Sequence, residues 1–262
     1  MSKKKNTLLR NTSILMAATI ISRVIGLLYR SPLGETIGNE GLGYYSTASN
    51  LYTILLLISS YSIPMAVSKI VSERLALKEY RNAHRVFRGA LLYAVIVGGI
   101  AALVAFFGGK FLLPYNQQNA ILALRVLAPT IFFSAILGVL RGYFQAHSTM
   151  MPTSISQIIE QIFNAAFSIG AAWFFIQQFA TNDTERAKFG AAGGTLGTGA
   201  GVLAGLCFML LVYGVNRKSI LRKAAKDTRH REESYREIFQ VLFLMVTPVI
   251  FTTFIYNCNA YL

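Results

Sequence analysis

Apolar segments long enough to cross a lipid bilayer dominate this chain. They cover residues 8–28, 44–61, 90–112, 120–140, 152–175, 189–215 and 238–262. A membrane-spanning helix needs about 20 mostly apolar residues, and most of these segments reach that length. Only 14% of the 262 residues are charged, against roughly 25% in a soluble domain. The sequence therefore predicts an all-α membrane protein, a polytopic helical bundle.

The polar stretches between these segments predict the domain organisation. Residues 1–215 would form an N-terminal lobe of six spans, residues 216–237 a cytoplasmic basic loop, and residues 238–262 a seventh span. Because the last segment is still apolar at residue 262, we expect this span to be truncated. On this interpretation, the chain is the front part of a longer protein.

The distribution of Lys and Arg predicts the orientation. Nineteen of the 25 Lys and Arg residues lie before or at the start of the first predicted span or follow the second, fourth or sixth. Cytoplasmic loops carry such an excess of basic residues, so we expect a cytoplasmic N-terminus. The basic loops would then face anionic membrane lipids, which accounts for the net charge of +14 without a nucleic-acid partner.

Three arginines in or beside the predicted spans are candidate substrate-binding residues, because a charge at the centre of a span costs about 2.5–3.5 kcal/mol. Arg23 lies in the first span, Arg30 follows it by about two turns, and Arg125 lies in the fourth span. A rise of about 1.5 Å per residue places Arg23 and Arg125 at a similar depth in the outer half of the bilayer. We expect these guanidinium groups to face an aqueous pocket for a diphosphate or carboxylate. The alternative is that they extend to the outer headgroups.

The fifth predicted span carries a second polar cluster. Four of its side chains recur at i, i+3, i+4 and i+7, which places them on one helical face. They are Gln157, Glu160, Gln161 and Asn164. This face either bonds neighbouring helices or lines a water-filled cavity, and in a cavity Glu160 would be a candidate proton or cation site.

Glycine recurs every four residues in the sixth predicted span. The positions are Gly193, Gly197, Gly201 and Gly205, and Gly190 with Gly194 forms a second pair of this spacing. Small residues at this spacing let helices approach closely in lipid, so we expect this span to pack tightly against a neighbour.

Three stretches of the sequence resemble a known family. They read ISRVIGLLYRSPLGETIGNEGLGYYSTA, SIPMAVSKIVSERLALKEYRNAHRVFRGALL and LRVLAPTIFFSAILGVLRGYFQAHSTMMPTSISQIIEQ. They are similar to the polysaccharide-transporter branch of the MOP (MATE-like) exporter superfamily, which includes the oligosaccharide flippases. Within that branch the resemblance is nearest to the stage V sporulation protein B group and to the MurJ-type lipid II flippases.

This resemblance implies a two-lobed helical bundle, of which the chain would supply the first lobe and one further span. It also implies a flippase of the bacterial cytoplasmic membrane that moves undecaprenyl-diphosphate saccharides, lipid II among them, by alternating access. Arg23 and Arg30 fall on the cavity arginines of the family's first span. Na⁺ and H⁺ are the candidate coupling ions, and no cofactor is implied.

Two alternative functions remain open from the sequence. A cation-coupled multidrug exporter of the same superfamily would favour acidic or aromatic surfaces, whereas Arg outnumbers Glu inside these predicted spans. A membrane enzyme acting on polyprenyl phosphates would display acidic metal-binding pairs, whereas the loop carboxylates here alternate with basic residues. The sequence contains no GxxxxGK[ST] motif for ATP binding, so we expect a transporter and not an enzyme.

Overall fold

The computed structural model describes residues 2–113, 115–227 and 233–259, and these residues are mostly helical. The α-helices are α1 (Ser2–Leu28), α2 (Arg30–Leu56), α3 (Ile63–Ala76), α4 (Tyr80–Leu112), α5 (Ile121–Ala146), α6 (Met151–Phe179), α7 (Asp183–Ala225) and α8 (Tyr235–Asn259). A π-helical turn (Leu57–Tyr61) joins α2 to α3, and a 3₁₀ helix (Tyr115–Ala120) precedes α5. The described residues contain no β-strand, as an all-α protein requires.

Four of the described helical segments are long and apolar enough to cross a membrane. They are Tyr80–Leu112, Tyr115–Ala146, Met151–Phe179 and Asp183–Ala225. The consecutive helices over Thr12–Leu28 and Arg30–Leu56, bent by 41°, also pass this test when they are taken together. The apolar segments predicted between residues 90 and 215 each correspond to one of these helices.

The chain reverses its direction at Gly38, inside α2. Gly38 has φ +73° and ψ 174°, a conformation that side-chain-bearing residues rarely adopt. The hydroxyl oxygens of Tyr29 and Tyr45 lie 3.1 Å apart, whereas a straight helix would separate these residues by about 24 Å. The segments on either side of Gly38 therefore form a hairpin, and they contain the predicted apolar segments 8–28 and 44–61.

The glycines of the sixth predicted span allow α7 to lie directly against α6. A Cβ atom added at Gly193, Gly197 or Gly201 would overlap the backbone of α6. Gly194 lies on another side of α7 and faces α2. A Cβ atom added there would lie 3.3 Å from the side chains of Leu33 and Tyr45. The close helix packing predicted from the glycine spacing is therefore present in the structure.

The predicted basic loop after the sixth span begins as a continuation of α7. α7 continues to Ala225, so the first ten residues of the predicted 216–237 loop are helical. Arg, Lys, Leu and Ala favour helix, and no Gly or Pro interrupts residues 216–225. The next helix, α8, begins at Tyr235. Residues 228–232 of the predicted loop and 260–262 of the predicted seventh span lie outside the described residues.

Two apolar clusters hold the helices together. One contains Phe87, Leu140 and Tyr143, and it joins α3, α4, α5, α7 and α8. The other contains Leu33 and Leu124, and it joins α2, α4, α5, α6 and α7. α1 contributes little to either cluster, and this leaves polar side chains exposed along its boundary with α6.

Candidate functional site: a polar groove between α1 and α6

A polar groove with a volume of about 680 Å³ runs between α1 and α6. Its lining includes three arginines and one carboxylate. They are Arg23, Arg30, Arg141 and Glu160. A volume of this size lies within the range of about 300–1,000 Å³ that accommodates drug-sized ligands, so the groove is a candidate binding site.

One wall of the groove, formed by α1 and the first residue of α2 and called the α1 wall below, carries unpaired positive charge. Arg23, Gly26 and Arg30 follow one another at i, i+3 and i+7, which turns them towards the same side. α1 lies beside α6 at Gly26, where an added Cβ would be in ordinary van der Waals contact with the Gln161 side-chain oxygen at 3.6 Å. Arg23 and Arg30 are exposed, and in the described part of the chain neither has an ion-pair partner within 4.0 Å.

The opposite wall is the polar face of α6, and it is held by hydrogen bonds. All four predicted side chains of this face line the groove: Gln157, Glu160, Gln161 and Asn164. The buried Asn164 donates a hydrogen bond from Nδ2 to the Tyr29 hydroxyl at 3.4 Å. Its Oδ1 accepts hydrogen bonds from Ser168 at 3.0 Å and from Thr198 at 3.4 Å. The two alternatives for this face are both realised, since it bonds neighbouring helices and also lines the groove.

Glu160 is paired with an arginine of α5. Arg141 Nη2 lies 2.7 Å from Glu160 Oε2, and Arg141 Nε donates a hydrogen bond to Ser156 Oγ at 2.9 Å. Only 15% of the Arg141 side chain and 21% of the Glu160 side chain are exposed. Glu160 is therefore not an isolated carboxylate, because it has a charged partner. Because Arg141 balances Glu160, Arg23 and Arg30 supply the remaining positive charge of the groove.

The structure does not bring Arg125 to the groove, which corrects the expectation that it meets Arg23 in one pocket. Arg125 is exposed, and its Nε donates a hydrogen bond to the Phe106 carbonyl oxygen of α4 at 3.4 Å. Its guanidinium carbon lies 5.8 Å from the centre of the Phe106 ring. Sixteen residues separate Arg125 from Arg141, which rotates the two side chains about 160° apart around α5. Arg125 therefore lies on the side of α5 that faces away from the groove.

The groove residues that sequence reasoning missed include Tyr29, Tyr61 and Arg141. Arg141 was interpreted as a loop residue, although it lies within α5. The short turn between α5 and α6 was the available signal, because antiparallel helices so connected bring Arg141 near Glu160. Neither tyrosine stands out in the sequence, since each lies at the end of an apolar segment.

Comparison with known proteins identifies the family. Residues 8–204 match the family model described as "Polysaccharide biosynthesis protein". The chain belongs to this family. It is a multi-pass membrane protein, because several of its helices are long and apolar enough to span a bilayer.

Two curated relatives come from Bacillus subtilis (strain 168). The chain is 26% identical to "Lipid II flippase MurJ" over 254 residues, which cover 93% of this chain and 46% of the relative. It is 28% identical to "Stage V sporulation protein B" over 244 residues, which cover 90% of this chain and 45% of that relative. The chain thus spans about half the length of the curated relatives it matches.

A solved structure of the same architecture is the crystal structure of MATE in the straight conformation. It superimposes with a TM-score of 0.73 at 16% sequence identity, and the match covers 98% of this chain and 55% of the MATE chain. At this level of identity the similarity shows the fold. This family member therefore has the helical architecture of a MATE-like transporter.

Proposed function

We propose that this chain forms one lobe of a flippase that moves a polyprenyl-diphosphate saccharide across the bacterial cytoplasmic membrane by alternating access. Membership of the polysaccharide biosynthesis family supports this proposal, as does the similarity to the lipid II flippase. The substrate would occupy the groove between α1 and α6, lipid II being one candidate. The predicted cytoplasmic N-terminus would place the basic end of the lobe on the side where such lipids are assembled.

The unpaired positive charge of Arg23 and Arg30 is the observation that carries the proposal. A diphosphate requires strong hydrogen-bond donors, and guanidinium groups bind phosphate oxygens in a bidentate manner. Arg141 is less available, because Glu160 already occupies its Nη2 atom at 2.7 Å. Arg23 of α1 and Arg30 at the start of α2 would therefore hold the diphosphate, and the amide side chains of α6 would offer hydrogen bonds to sugar hydroxyls.

The groove also suits the lipid part of such a substrate. Moving an unpaired charge through hydrocarbon costs many kcal/mol, so the headgroup needs a polar path. The polyprenyl chain needs none and can stay in the membrane. Leu27 lines the groove and is 68% exposed, so it provides an apolar rim where the polar groove meets the membrane hydrocarbon.

A cation-coupled multidrug exporter is the alternative that the MATE-like fold keeps open. A cationic drug would be repelled by Arg23 and Arg30, because no carboxylate in the described part of the chain pairs with them. Na⁺ and H⁺ are the candidate coupling ions for either function, and Glu160 is the carboxylate of the groove that would serve such coupling.

The test uses cells that depend on this protein, with polyprenyl-linked lipids identified by mass spectrometry. Depletion of the protein should accumulate one polyprenyl-diphosphate saccharide in the cytoplasmic leaflet. The Arg23→Gln/Arg30→Gln variant should accumulate the same lipid, whereas Arg125→Gln should behave as wild type because Arg125 lies outside the groove. Western blotting of membranes controls for equal amounts of each variant.

Two outcomes would contradict the proposal. If no polyprenyl-linked species accumulates on depletion, the protein does not flip such a lipid. If the double variant transports normally while Arg125→Gln is defective, the groove is not the substrate path. Increased sensitivity to cationic drugs on depletion, without lipid accumulation, would favour the multidrug exporter.

A further inference from the structure

A second cavity, with a volume of about 280 Å³, lies at the end of the lobe opposite the Gly38 turn. It is formed where the α3–α4 turn, the α5–α6 turn and the last turns of α7 meet. None of its lining residues belongs to the polar groove. Its volume is just below the range of drug-sized ligand sites, which suits a small headgroup.

The lining of this cavity combines an apolar base with a basic rim. Leu75, Phe144 and Val212 contribute apolar surface, and Lys223 and His147 contribute nitrogen atoms. The lining contains no Asp or Glu, so nothing in the cavity wall balances the Lys223 charge. An anionic group would therefore be favoured in this cavity over a cation.

His147 can help to bind an anionic group in this cavity, although it supplies no charge of its own. Burial lowers the pKa of His147, and the nearby Lys223 lowers it further, although a hydrogen bond to the Tyr143 carbonyl opposes the shift. The imidazole is therefore neutral at pH 7, and Lys223 is the cationic residue of the cavity wall. A neutral imidazole can still donate one hydrogen bond to a phosphate oxygen.

The position of the cavity along α7 indicates membrane headgroups as the source of the anion. α7 changes from apolar to basic residues after residue 215, which is where a span leaves the hydrocarbon. Below that level Leu211 is 70% exposed and Val215 is 83% exposed. A lipid bound here would place its phosphate near Lys223 and one acyl chain along these two side chains.

We propose that this cavity is a binding site for the headgroup of an anionic phospholipid. Basic pockets between helices at a membrane surface bind such headgroups, and each nearby Lys adds about 1 kcal/mol of attraction. The bound lipid would bridge α3, α5 and α7, since all three helices line the cavity. The site is independent of the flippase proposal, because it requires only that the helices span a membrane.

The test measures phosphatidylglycerol binding to the purified full-length protein by native mass spectrometry, with phosphatidylcholine as the neutral comparison. Lys223→Gln should weaken phosphatidylglycerol binding about fivefold. Lys218→Gln is the matched control, because Lys218 lies on the same helix and carries the same charge but does not line the cavity. This control should retain wild-type binding.

A second variant tests the cavity by its shape. Ser219 lines the cavity and is exposed, so Ser219→Phe can fill the space without disturbing buried packing. It should abolish the preference for phosphatidylglycerol while the protein keeps its helical circular dichroism spectrum. Equal effects of Lys223→Gln and Lys218→Gln, or equal binding of both lipids to wild type, would overturn the site. Displacement of the lipid by millimolar inorganic phosphate would overturn the lipid assignment in favour of a soluble phosphate.

Discussion

The two walls of the polar groove differ in how firmly they are held. The α6 wall is fixed on several sides: α7 packs against its backbone through glycines, and Arg141 pairs with Glu160. The α1 wall contacts α6 through Gly26 but keeps Arg23 and Arg30 exposed and unpaired. The charges available to a ligand therefore lie on the weakly packed wall, where binding disturbs the fewest internal contacts.

The largest loss of stability should follow from breaking the helix packing that fixes the α6 wall. Gly201→Leu would push a side chain into the Glu160 carbonyl and Asn164, so we expect a loss of about 3 kcal/mol or more of stability. Gly214→Leu is the matched control on the same helix, because a Cβ at Gly214 has no neighbour within 4 Å. Thermal unfolding in detergent measures both variants. Equal melting temperatures would mean that the glycine contact does not hold this wall.

A smaller effect should follow from removing one charge of the Arg141–Glu160 pair. Glu160→Gln leaves the mostly buried Arg141 without its charged partner, which we expect to cost about 1–3 kcal/mol. Arg141→Gln/Glu160→Gln should recover part of this loss, since neither charge then stays uncompensated. The coupling between the two changes, measured as a double-mutant cycle, should differ from zero. Additive losses would contradict the pairing.

The smallest effect on stability should come from the weakly packed wall. Arg23→Gln/Arg30→Gln removes two exposed, unpaired charges, so the free energy of unfolding should change by less than about 0.5 kcal/mol. Arg141→Gln is the comparison within the same groove, and it should be less stable than this double variant. A large loss of stability in Arg23→Gln/Arg30→Gln would show that the α1 wall is held by contacts of these arginines.

Sequence periodicity predicted the features that depend on one helix alone. The polar face of α6 lines the groove as a whole, because residues at i, i+3, i+4 and i+7 share a side wherever the helix lies. The close packing of α7 was equally predictable, since glycines at this spacing form a stripe without side chains whichever helix packs against it. The apolar segments located α4 to α7 for the same reason.

Features that depend on how a helix is rotated against its neighbours could not be read from one sequence. Counting residues predicts the depth of Arg125 along its span. The direction in which its side chain points depends instead on which side of α5 packs against the other helices. Arg141 points in the opposite direction. The short α5–α6 turn indicates that it lies near Glu160, but the ion pair itself depends on how α5 is rotated against α6. The roles of the groove residues in substrate binding stay predictions.

The length of α7 has a mechanical consequence. The helix is 43 residues long, so it extends about 65 Å, roughly twice the thickness of the hydrocarbon core. Lys223 lies about 33 Å along α7 from Gly201, where the backbone of α6 packs against α7. If α7 tilted by about 10° about this contact, Lys223 would move by about 6 Å. A small tilt of α7 deep in the bilayer would thus become a larger displacement at the membrane surface.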